Sequence, residues 1–133
     1  MTPYSPLQHR GLRILLAVNV AASGAAAVVL TVSPSATPHL VGIPFRPEQD
    51  FVAYLLAAAK LAFAALSLSA LIANSRHMVA QALMVLIVFH AASGLAGVLA
   101  VAKGTKAFVL LNVLLRFAMS SALFYCFRQL HRD

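Results

Sequence analysis

The chain has 133 residues, 62% of them hydrophobic and 10% charged, with a formal net charge of +7 and a mean hydropathy of +0.89. A soluble domain this short has too much surface to cover with so few polar residues, so the composition indicates a membrane protein. Its ten Lys and Arg are scattered, with two inside apolar runs, which leaves no basic patch to follow a nucleic-acid backbone; the single cysteine, Cys126, excludes an intrachain disulfide and any cysteine-based zinc site.

The first apolar segment covers about 12–32. Arg10 and Arg13 stand at its start and "SPSA" follows it, an arrangement similar to a secretory signal. The apolar run is longer than a signal core, however, and a proline stands at the minus-three position of the only plausible cleavage site, so the segment is predicted to be retained as a span. Residues 33–50 hold four prolines and a glycine before Gln49, in "SPSATPHLVGIPFRPEQ", too broken for a regular helix in lipid. This stretch predicts an ordered external loop with an interfacial turn around "HLVGI". Pro47, Glu48 and Asp50 predict the start of the second helix, since proline suits a first turn and carboxylates suit the positive end of the helix dipole.

The other spans are expected at about 51–73, 78–102 and 107–127. All four can cross about 30 Å of hydrocarbon at about 1.5 Å per residue. The connections "NSRH" and "KGTK" are short and force antiparallel neighbours. The predicted architecture is an all-α membrane protein, a single antiparallel four-helix transmembrane bundle over 1–133 with a Pro-rich first loop. Both termini then share one side, together with Arg10, Arg13, Arg76, Arg128 and Arg132, whereas Arg46, Lys103 and Lys106 lie opposite. That bias predicts cytoplasmic termini in a multi-pass membrane protein.

Near the midpoint of each span stands one polar residue: Asn19, Lys60, His90 and Arg116. A charge at the bilayer centre costs about 2.5 to 3.5 kcal/mol even on the lenient insertion scale, so these side chains are expected to face the bundle interior. Helical spacing agrees. Asn112, Arg116 and Ser120 form a stripe; Ala53, Ala57, Lys60, Ala64 and Ser67 make a small-residue face; His90 shares a face with Ser93, Gly94 and Gly97; and Asn19 stacks above Ser23. The three acidic residues, Glu48, Asp50 and Asp133, all lie outside the spans. A buried lysine can shed its proton, but a guanidinium keeps its charge.

The missing countercharge supports a midplane pocket for a small anionic, quinone-like or lipid ligand, lined by Asn19, Lys60, His90, Asn112 and Arg116. Lys60 and Arg116 would supply charge, His90 a donor or acceptor, and the asparagines orientation. An oligomer could use such a pocket for transport, whereas one protomer carries no visible inverted repeat or broken helix to gate alternate access. The alternative is an accessory or assembly subunit of a larger membrane complex, in which the polar layer is structural glue or meets acidic residues of a neighbour.

Other chemistries have less support. Proton-coupled drug export needs a membrane-embedded carboxylate, and none is present. Haem in a bundle normally takes two axial ligands at one depth, and only His90 is central; His9, His39, His77 and His131 lie toward the ends, and Met119 would have to serve as the second ligand. No phosphate loop, nucleophile elbow, paired carboxylates or metal-ligand cluster argues for an enzyme.

The stretches "YLLAAAKLAFAALSL", "VFHAASGLAG" and "NVLLR" resemble helices of small bacterial four-span proteins and, more loosely, the DoxX-like membrane proteins. The resemblance implies a four-helix bacterial inner-membrane protein with no particular activity attached. In that group the position matched by Lys60 is frequently acidic, so a lysine there reverses the charge facing Arg116.

Overall fold

A computed structural model of the chain describes residues 10–41, 44, 46, 49–106 and 109–131. The described residues form α1 (Arg10–Val32), α2 (Ala36–Val41), α3 (Asp50–Ile72), α4 (Arg76–Ala102) and α5 (Val109–Leu130), and no strand. All but α2 are long and apolar enough to cross a membrane. The spans therefore stand within a few residues of their predicted limits. Helix α5 runs on to Leu130 because Arg128 and Gln129 are good helix formers that need no lipid around them.

The helix ends follow from local chemistry. Asp50 lies in the first turn of α3, as predicted, next to the positive end of the helix dipole; Pro47 and Glu48 lie outside the described residues. Ser75 caps α4 in extended backbone, its hydroxyl facing the Met78 amide. Gly104, at φ 95°, ends the same helix: its N–H reaches the Val101 carbonyl, and the next amide, Thr105, reaches back to Ala100. This is the left-handed stop that glycine allows at no steric cost. The interfacial turn expected in the first loop is a short helix, α2, which begins two residues after Pro34. Pro38 falls in its first turn, where a missing N–H forfeits no hydrogen bond.

The four long helices pack as two close pairs, α1 with α3 and α4 with α5, and the pairs touch each other less extensively. In the first pair Leu12, Leu16, Asn19, Ser23, Ala27 and Leu30 of α1 are buried. They face Ala53, Ala57, Lys60, Ala64, Ser67 and Ala70 of α3, so the predicted small-residue stripe is the packing face. In the second pair the close approach is at glycine. A Cβ on Gly97 would lie 2.5 Å from Val113 Cγ2, and one on Gly94 would lie 3.0 Å from Phe117 Cζ.

One apolar core unites the pairs. It joins Leu12 and Leu16 of α1, Ala70 of α3, Leu83 and Leu86 of α4 and Leu123 and Leu130 of α5, toward the end of the bundle where α1 starts and α5 finishes. Toward the opposite end, among the described residues, a smaller cluster of Leu30, Ala53 and Ala57 joins α1 to α3 alone. Large apolar side chains such as Val52, Leu61, Leu95 and Leu114 point outward. This is the pattern of a bundle whose solvent is hydrocarbon and whose backbone groups are satisfied within each helix.

A candidate site in the mid-membrane polar layer

Between the core and the smaller cluster, a run of polar contacts links all four long helices. The buried faces of α1 and α4 bring Asn19 and His90 together, with Asn19 Oδ1 3.0 Å from His90 Nε2. Asn19 Nδ2 donates to Ser67 Oγ on α3 at 2.7 Å, and that hydroxyl donates to the Phe63 carbonyl one turn earlier at 2.8 Å. On the other side of the imidazole, Arg116 Nη1 of α5 lies 3.5 Å from His90 Nδ1. Arg116 Nε donates to Asn112 Oδ1 at 3.3 Å.

These contacts share one direction. Asn19 spends its amide N–H on Ser67, so its Oδ1 must accept from His90, and Nε2 carries the imidazole proton. Nδ1 is then an acceptor, which suits the guanidinium N–H facing it. Donation runs from Arg116 through His90, Asn19 and Ser67 to a backbone carbonyl, with every intermediate group used once as donor and once as acceptor. Ser120 adds a separate tie from α5 to α4 by donating to the Ile87 carbonyl at 3.2 Å.

Lys60 joins this layer differently. It is buried, at 7% exposure, but lies seven residues from Ser67, about 10 Å along the helix. Its Nζ sits 4.7 Å from the centroid of the Phe89 ring, its one recorded partner among the described residues. The Arg116 guanidinium lies 5.3 Å from the same centroid. Phe63 stacks on Phe89 with centroids 3.8 Å apart, and Phe89 meets His90 edge-on. Two cations thus lean on one aromatic ring, which attracts each of them weakly and neutralises neither.

Of the five predicted site residues, Asn19, His90, Arg116 and Asn112 form one hydrogen-bonded run, and Lys60 approaches it through Phe89. Their burial is uneven: Asn19 and His90 are 2% and 5% exposed, Arg116 is half-buried and Asn112 is exposed. Sequence reasoning placed Ser67 on the right face but did not see it as the partner of Asn19, and it missed Phe63 and Phe89. "VFH" offers an aromatic beside the histidine, but aromatics are too common in membrane helices for that signal to single it out. Among the described residues no group of three His, Cys, Asp or Glu gathers in a metal-binding arrangement. An axial bond from His90 would have to displace Asn19 or Arg116 from a ring nitrogen. No protein-family model, curated protein or solved structure matches this chain.

Proposed function

We infer that this membrane protein binds a small anionic, quinone-like or lipid ligand beside Phe89, held by Lys60 and Arg116, with His90, Asn19 and Asn112 orienting the guanidinium. The observation that carries this reading is the convergence of two cationic side chains on one ring, with no carboxylate beside them among the described residues. Asp50, the one described acid, stands at the far start of α3. Lys60 has three ammonium donors and Arg116 five guanidinium donors, and the recorded contacts occupy only two of the eight. An electron-rich oxygen on a carboxylate, a phosphate or a quinone carbonyl would supply the missing acceptor, and charge-assisted bonds of that kind are about twice as strong as neutral ones.

A second reading has its own observation. Arg116 is half-buried and Asn112 exposed, so the cationic end of the layer reaches the outer surface of α5. An accessory or assembly subunit would use that surface to receive a membrane-embedded carboxylate of a neighbouring chain. In either case the five-to-three excess of basic residues on one side supports cytoplasmic termini. The likeness of three stretches to small bacterial four-span proteins, loosely DoxX-like, supports an inner-membrane location.

Native mass spectrometry of the gently purified protein, wild type beside Arg116→Leu, tests the first reading. The expected result is a specific small-molecule adduct on the wild type that the variant loses while remaining folded. Bare protein in both samples, with co-purification of a chain carrying a membrane-embedded acid, would transfer the assignment to the second reading.

A further inference from the structure

The two close helix pairs leave a seam where α1 meets α5, and the seam is open at one end. There a groove of about 570 Å³ lies between the start of α1 and the end of α5, within the range of about 300 to 1,000 Å³ typical of ligand sites. Its lining changes character with depth. At the mouth stand Arg10, the first residue of α1, and Gln129, next to last in α5. Gln129 Nε2 donates to the Tyr125 hydroxyl at 2.9 Å, so a polar pair lines the α5 side of the groove from its mouth to about one turn inside. Deeper in, Ile14, Leu15 and Ala122 make apolar walls. They lie four to eight residues inside the helix ends, about 6 to 12 Å toward the hydrocarbon.

Polar at the membrane surface and apolar below it, the groove is shaped for an amphiphile, and its charge selects the headgroup. Arg13, one turn after Arg10, and Arg128, beside Gln129, are both exposed, and among the described residues this end of the bundle has no acid, Asp133 lying outside them. Cations at the interface attract anionic lipid headgroups, and tyrosine is a frequent neighbour of headgroups at that depth. The geometry points to a binding site for an anionic phospholipid, its phosphate on Arg10 and the Tyr125–Gln129 pair and an acyl chain along Ile14, Leu15 and Ala122. This site lies at the membrane surface and is independent of the mid-membrane layer.

The full chain is reconstituted in phosphatidylcholine vesicles containing a minor fraction of phosphatidylglycerol, and the lipids it retains are read by native mass spectrometry. Phosphatidylglycerol should be enriched over its share in the vesicle, and Arg10→Gln should cut that enrichment about fivefold, the effect of one basic residue at the surface. Ala122→Trp, which fills the groove from its wall, should lower retention of both lipids. Arg10 lines this groove and is not among the residues of the mid-membrane layer, so the loss in Arg10→Gln separates this site from the deeper one. Retention that follows vesicle composition in the wild type would overturn the proposal, as would enrichment that survives both Arg10→Gln and Ala122→Trp.

Discussion

The two ends of the mid-membrane polar layer are built to opposite plans. At the inner end Asn19 and Ser67 are 2% and 0% exposed, and their hydrogen bonds run to a stop at the Phe63 carbonyl. At the outer end Arg116 is only half-buried, its nearer partner Asn112 is exposed, and among the described residues only two of its five guanidinium donors meet a hydrogen-bonding partner. A closed run of neutral groups holds helices in register. An open run that ends in cations is poorly explained as glue, because each unpaired donor in lipid costs free energy that a neutral side chain would not.

The sharpest way to break this contrast is Asn19→Leu. It removes the acceptor of His90 Nε2–H and the donor to Ser67 together, leaving buried polar groups stranded. A stability loss of about 1 to 3 kcal/mol is expected, read as a lowered unfolding midpoint in detergent. The Gly97→Ala change should come next, at about 1 to 2 kcal/mol, since its methyl would meet Val113 at 2.5 Å, and either that stiff branched side chain or α5 must shift. Gly94→Ala should cost less, because the facing Phe117 ring is 40% exposed and can swing toward lipid.

Arg116→Leu should reverse the sign. If the outer end serves a ligand or partner, replacing the guanidinium relieves a charge the isolated bundle does not need, so the unfolding midpoint should hold or rise. A fall as large as that of Asn19→Leu would mean that both ends are structural, and the contrast would be lost.

Much of this was legible in the sequence. Apolar runs of about twenty residues identify spans with little ambiguity, and helical spacing placed Ala53, Ala57, Lys60, Ala64 and Ser67 on one face, all of them buried. Depth was less legible. Counting inward from segment ends set Asn19, Lys60, His90 and Arg116 near one depth, but the antiparallel register of α1 and α3 sets Asn19 against Ser67, about two turns from Lys60. A polar residue near the middle of a span marks a layer only to within about two turns. The pairing of α1 with α3 and of α4 with α5 was also hidden, since small residues line both α3 and α4 and nothing in their spacing says which neighbour each will choose.

Asn112→Ala is the finest test of the outer end. Asn112 is exposed and makes one hydrogen bond of 3.3 Å to Arg116 Nε, so its removal should change stability by less than about 0.5 kcal/mol, as for most exposed sites. The same bond is half of what aims the guanidinium; the other half comes from His90 at 3.5 Å. A ligand held by Arg116 should therefore be retained less well by Asn112→Ala while the unfolding midpoint stays put, and native mass spectrometry beside a melting curve reads both from one preparation. Weakened binding at constant stability would make Asn112 a positioning residue for Arg116. Unchanged binding would mean that His90 alone orients the guanidinium, and the outer end would then begin at the histidine.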